Sequence, residues 1–172
     1  DKTVNDATAC LVLGAFKLKR SNGTVRQCVL VLDAWDDHLQ YTPLRKRMLR
    51  DWKERYAANP RDPTQPGYRA AALLVENKGS GISLLQDLQR GNVPAISYNP
   101  GKADKTARAQ AVLPIWDADC VYFLESSTEP GEVVTWARPF TTQLSKFSLV
   151  SAGHDDYVDA FTQGLRFLRD NG

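Results

Sequence analysis

The chain has 172 residues, 42% of them hydrophobic, and 22 Lys and Arg stand against 20 Asp and Glu for a net charge of +2. That is enough apolar material for one core of domain size, and a nearly balanced charge assigns no partner by itself. No stretch approaches the roughly 20 apolar residues that a bilayer span needs. The polar start Asp1-Lys2-Thr3-Val4-Asn5-Asp6 is not a secretory leader, so the sequence reads as a single domain (1–172) excised from a longer polypeptide. Cys10, Cys28 and Cys120 lack the short Cys or His spacing of a zinc site and read as reduced core thiols of a cytosolic protein.

Residues 7–18 and 24–35 are β-rich runs separated by Ser21-Asn22-Gly23, and Asn-Gly between such runs predicts a hairpin. Leu44, Met48, Trp52 and Tyr56 recur every four positions behind Thr42-Pro43. This predicts a helix capped by Thr42, with its apolar stripe toward a sheet and its arginines outward. Residues 59–67, broken by Pro60, Pro63, Pro66 and Gly67, form an exposed loop. Residues 68–76 are nearly all apolar, as in a central strand covered on both faces. Gly79 and Gly81 turn the chain into a short helix with Ile82, Leu85 and Leu88 inward. A strand over 93–98 then completes a parallel, right-handed crossover ended by Asn99-Pro100-Gly101. A helix over 104–116 places Ala107, Ala111 and Ile115 inward, and 121–124 is a short edge strand. Helices follow over 130–147 and 155–168, the last with Val158, Phe161, Leu165 and Leu168 inward. An antiparallel hairpin joined to parallel strands predicts an α/β fold, a mixed sheet with helices on both faces.

Two acidic places carry the chemistry. Glu76 ends the apolar run before a glycine turn, and open α/β sheets bind ligands outside that edge. Asp155, Asp156 and Asp159 crowd into five positions, after His154, at the mouth of the last helix. A helix N-terminus, a bound cation or both would hold such acids together; capping by one Asp, with Asp159 completing a capping-box variant, is the purely structural account. Two-metal phosphodiester hydrolysis needs hard carboxylate oxygens from separate elements around Mg²⁺ or Mn²⁺ ions roughly 4 Å apart. Glu76, Asp155 and Asp156 are ligands of that type. Lys78 is placed to offset acid repulsion or meet a phosphate, and His154 to orient water or phosphate. Basic residues gather at Arg45-Lys46-Arg47, Arg50, Lys53 and Arg55, and at Lys102, Lys105 and Arg108, either as an approach surface for a polyanion or as solvated helix faces. Residues 101–106 lack the phosphate-loop pattern, and no Ser, Cys or His forms a convincing nucleophile–base pair. Trp35, Trp52, Trp116 and Trp136 read as core or half-buried rather than as base-stacking platforms.

Three stretches in order, Leu74-Val75-Glu76-Asn77-Lys78-Gly79-Ser80-Gly81, then Lys105-Thr106-Ala107-Arg108-Ala109-Gln110-Ala111, then His154-Asp155-Asp156-Tyr157-Val158-Asp159-Ala160, resemble the C-terminal nuclease domain of tailed-phage terminase large subunits. The resemblance extends over nearly the whole chain. It implies a ribonuclease H-like fold and a metal-dependent endonuclease that cuts concatemeric double-stranded DNA during genome packaging, with Mg²⁺ or Mn²⁺. It further implies a larger protein with an N-terminal ATPase domain, a small subunit and the procapsid portal as partners, no membrane, and the host-cell cytoplasm as location. Glu76, Asp155 and Asp156 take the catalytic, metal-ligating places, and Lys105 and Arg108 lie near the DNA backbone; with Lys78 and His154 they are the candidate DNA contacts. Family members have a first strand ending in a catalytic Asp, ahead of a loop that finishes in Asn-Asp. Asn5-Asp6 matches the loop's end, so that strand is expected before residue 1 and its role is not transferred to Asp1 or Asp6. Two other readings stay open: a non-catalytic DNA-binding or motor-docking module with an incomplete site, and another ribonuclease H-like enzyme such as a junction resolvase or integrase.

Overall fold

The computed structural model describes residues 7–57, 70–101, 107, 110, 113–146 and 156–171. In chain order the elements are strands β1 (Thr8–Lys19) and β2 (Val25–Asp37), then helix α1 (Tyr41–Asp51), which runs on into a π-helical turn at Trp52–Tyr56. Strand β3 (Leu73–Glu76), helix α2 (Ser80–Arg90), strand β4 (Ala95–Tyr98), helix α3 (Leu113–Asp117) and strand β5 (Val121–Phe123) come next. A 3-10 turn at Thr135–Ala137 leads into α4 (Arg138–Lys146), and α5 (Asp156–Asn171) is last. The chain divides into two compact units, one of Asp1–Ala7 with His38–Gly101 and one of Thr8–Asp37 with Lys102–Gly172.

The second unit is built on the hairpin that Asn22-Gly23 predicts. Gly23 adopts φ +83°, the conformation a tight hairpin turn requires and glycine adopts without strain. The Asn22 side-chain oxygen accepts from the Thr24 N–H at 3.0 Å, and β1 and β2 run antiparallel from Lys19 opposite Val25 to Thr8 opposite Asp37. β5 lies parallel to β2, with Val121 beside Val29, so the sheet β1-β2-β5 is mixed as expected. The register steps between Val12, opposite Asp33, and Leu13, opposite Val31, which leaves Leu32 as an extra residue in β2. Side chains alternate along a strand, so this bulge brings Ala34 and Asp36 onto the face of Val29 and Val31. That face meets Phe140, Tyr157, Phe161 and Leu165 in the unit's core. Phe140 is fully buried, its ring centroid 5.2 Å from that of Phe161 and 5.5 Å from that of Tyr157. A Cβ on Gly164 would stand 2.5 Å from Leu13 Cδ1, so α5 rests directly on β1.

Several expectations shift in this unit. The helix foreseen over 130–147 begins only at 135, because Gly131 adopts φ +84° and donates its N–H to the Glu125 carboxylate at 2.7 Å, while Glu125 bridges Val133. Ala107 is exposed rather than inward, Ala111 lies outside the described residues, and Ile115 packs partly buried against the core. Trp116 is 44% exposed, its edge on Phe161, whereas Trp35 is buried and Trp52 and Trp136 are half-buried. All three cysteines are buried, as expected of core thiols.

In the first unit α1 begins at Tyr41, so Thr42 lies inside the helix and is not its cap; Gln40 occupies that position without a side-chain bond. The main neighbour of α1 is α2, not a sheet. The Tyr41 hydroxyl donates to Asp87 on α2 at 2.8 Å, and Arg45 pairs with the same carboxylate at 2.8 Å. Arg47 and Arg50 pair with Asp51, which is only 2% exposed; Arg50 nevertheless stays exposed, as expected of the outer face, whereas Arg47 is half-buried. β3 and β4 pair in parallel from Leu73 beside Ala95 to Glu76 beside Tyr98, joined by α2 as the crossover predicts. Among the described residues β4 is the one partner of β3, and Leu73 and Leu74 are half-buried, short of a strand covered on both faces. The inward face of α2 is Leu84 and Leu88, four positions apart on one stripe; Leu88 is inward as expected, whereas Ile82 is 46% exposed and Leu85 half-buried, because positions i, i+3 and i+6 drift by about 60° per step around a helix. The loop expected over 59–67 lies outside the described residues.

Candidate functional site

Glu76 is the last residue of β3, in register with Tyr98 at the end of β4. Main-chain bonds fix the turn beyond it: Asn77 N–H donates to Tyr98 O at 2.8 Å, Lys78 N–H to Glu76 O at 2.9 Å, and Gly81 N–H to Lys78 O at 3.0 Å. Gly79 takes φ +55°, and a Cβ on Gly81 would stand 2.0 Å from Glu76 O. The Gly-Ser-Gly stretch is therefore a turn that lets α2 start against the strand end, as its composition suggests. Glu76 is half-buried and Lys78 is exposed.

Asp156 is the first residue of α5, and both Asp156 and Asp159 are half-buried. An Asp just before the helix would cap it by accepting from the second and third N–H groups, those of Tyr157 and Val158. Both already donate to the Gln143 side-chain oxygen on α4, at 2.8 and 3.2 Å. With the helix starting at Asp156, the third position is Val158, so Asp159 does not complete a capping box. Among the described residues, the side chain that caps these two N–H groups of α5 is a glutamine from another helix.

Tyr157 adds a second tie. Its hydroxyl donates to Asp36 Oδ1 at 2.9 Å, which the β2 bulge makes reachable. Burial first, then the bond to Asp36 and the charges of Asp36 and Asp33, push the phenol far above its ordinary value of 10.0, so it stays a donor. Asp33 is buried at 5% exposure and accepts the Ala34 N–H at 3.0 Å. The start of α5 thus sits beside the acidic end of β2.

His154, Asp155, Lys105 and Arg108 lie outside the described residues. Glu76 and Lys78 belong to one unit, Asp156 to the other. The carboxylates are the hard-oxygen donors that Mg²⁺ or Mn²⁺ takes, and among the described residues no three His, Cys, Asp or Glu side chains gather into a metal-binding group. Gln143 and Asp36 were not singled out as supports by sequence reasoning. Gln143 lies 14 positions from its contact and Asp36 lies 121 positions from its own, with no local signal for either.

A family model described as the terminase RNaseH-like domain matches residues 5–166. No curated protein and no solved structure matches the chain. The antiparallel hairpin, the parallel strands and the flanking helices are those of a ribonuclease H-like α/β fold.

Proposed function

Because the chain belongs to the terminase RNaseH-like domain family, we propose that it is the nuclease of a viral genome-packaging terminase, a metal-dependent endonuclease that cuts concatemeric double-stranded DNA. The observation that supports a role beyond helix capping for Asp156 and Asp159 is that the Gln143 side chain already accepts from the Tyr157 and Val158 N–H groups. Glu76, Asp155 and Asp156 would hold Mg²⁺ or Mn²⁺, which when bound activates water and stabilises the leaving oxygen of a phosphodiester. The chain's own residues supply the rest. Glu76 and Asp156 offer carboxylate oxygens from a strand end and a helix start. Lys78, Lys105, Arg108 and His154 hold the phosphate backbone. The domain works beside an ATPase domain, with the small subunit and the portal as partners, in the host-cell cytoplasm.

The test is plasmid cutting during titration with Mn²⁺. Glu76→Ala and Asp156→Ala are each expected to lower the rate at least about a hundredfold, the scale of losing an electrostatic group at a reacting centre, with unchanged unfolding curves. Undiminished cutting by either variant would remove that residue from the site. Linear duplex is expected to be cut at least as fast as branched DNA; a strong preference for branched substrates would move the reading to a junction resolvase.

A further inference from the structure

The β1–β2 hairpin is electrically lopsided. From Leu11 to Leu32 it holds Lys17, Lys19, Arg20 and Arg26 and no acid. Its other end carries Asp33, Asp36 and Asp37 and meets α5 where that helix presents Asp156 and Asp159. Lys19 stands ten positions along β1 from Ala9, the residue opposite Asp36, which is ~33 Å at the rise of a strand. That length corresponds to ~10 base pairs of duplex.

The cations at the far end are available. Lys17, Lys19 and Arg26 are exposed, and among the described residues none of the three is ion-paired. Three arginines of the α1 cluster differ, since Arg45, Arg47 and Arg50 are drawn onto Asp87 and Asp51, whereas Lys46 and Lys53 are exposed. Strand alternation sets Lys17 and Lys19 on the face that carries Leu13, and Arg26 on the opposite face with Leu18, so positive charge flanks both sides of the ribbon. The end is also braced. The Arg20 guanidinium donates to Ala118 O at 2.5 Å, and Phe16 meets Tyr122 of β5 edge-on at 5.5 Å between ring centroids. α5 runs from Tyr157 beside Asp36 to Gly164 on Leu13, and beyond it Arg166 and Arg169 share the single carboxylate of Asp170.

We propose that the distal half of this hairpin is a contact surface for the phosphate backbone of duplex DNA, about 30 Å from the acidic end, with the duplex lying along the hairpin. The inference rests on reading the domain as one that acts on DNA. The contact is indifferent to sequence, because phosphates carry none.

The experiment measures binding of the chain to a duplex of about 30 base pairs by fluorescence anisotropy, without divalent cation, over a range of salt. The variant K17E/K19E/R26E replaces exposed side chains and is expected to keep its unfolding midpoint. Its affinity is expected to fall at least about tenfold, with the slope of log K against log salt shallower by roughly two to three, at about 0.9 per phosphate contact. A control, K46E/K53E/K146E, makes the same change in net charge at exposed positions elsewhere. Unchanged duplex affinity in the hairpin variant overturns the inference, as does an equal loss in the control. Competition by polyglutamate as effective as by duplex also overturns it, in favour of an acidic protein partner. Binding without metal reads the hairpin independently of cutting, so loss of nuclease activity in the unaltered chain would sink the proposed function and leave this measurement standing.

Discussion

The two acid-bearing ends are held by opposite means. Glu76 is framed by main chain: a bond from Asn77 to Tyr98 on the neighbouring strand and, within five residues of Glu76 itself, a turn at Gly79 and Gly81 pressed against its carbonyl. The start of α5 is framed by side chains from far away, with Gln143 on its N–H groups and Asp36 on the Tyr157 hydroxyl. A frame written in adjacent main chain has no slack, and one substitution breaks it. A frame assembled from separate side chains loses about 1 kcal/mol per contact and degrades in steps.

The largest effect is therefore expected at Gly81. In Gly81→Ala the added Cβ would stand 2.0 Å from Glu76 O, a main-chain atom that cannot swing aside, so the loss should exceed about 2 kcal/mol in urea unfolding. An unchanged midpoint would mean that the turn is soft, and the contrast would fail. Gln143→Ala comes next. It leaves the Tyr157 and Val158 N–H groups without their acceptor, at about 1–2 kcal/mol. Gln143→Glu keeps an acceptor at the positive end of the helix and should recover more than half of that loss; equal destabilisation by both variants would argue for side-chain packing instead of capping.

The same contrast explains what the sequence disclosed. Asn22-Gly23 announces the hairpin because turn geometry is local, and Glu76 is legible as a strand end because an apolar run stops at a glycine turn beside it. The extra residue at Leu32 carries no such sign, being one aliphatic residue in a run of them. Plain alternation from Val29 and Val31 would send Asp33 to the α5 face, yet the bulge sends Asp36 there. The phase of α2 and the onset of the helix before α4 were missed for a related reason. Neither is settled by local apolar spacing: several stripes of α2 carry apolar residues and packing selects that of Leu84 and Leu88, and the Gly131 turn delays the other helix through a bond to Glu125 six positions back. At the candidate site the acids were visible and their supports were not. Gln143 looks like any polar residue of a helix until α5 is packed against it.

The smallest effect is also the most discriminating, because it turns on a proton. In the folded chain the Tyr157 phenol is raised above its ordinary value of 10.0 by burial and by Asp36. A raised value means that the contribution is complete below pH 10 and is lost as the pH climbs past it, where the unfolded chain gives up its proton and the folded chain does not. Tyr157→Phe should cost about 1 kcal/mol at neutral pH, for the bond to Asp36, and should lessen the decline in stability above pH 10. Tyr41, also raised, by burial and its bond to Asp87, keeps part of that decline in the variant. Urea midpoints from pH 7 to pH 11 read both effects at once, about 10 being the ordinary value for tyrosine. A variant as alkali-sensitive as its parent would show that the hydroxyl is not held in the buried bond, and one of the two long-range ties at the start of α5 would be gone. If the decline flattens while the neutral-pH cost stays near 1 kcal/mol, the acids there are held by contacts that fail one at a time, unlike Glu76, whose turn fails as a unit.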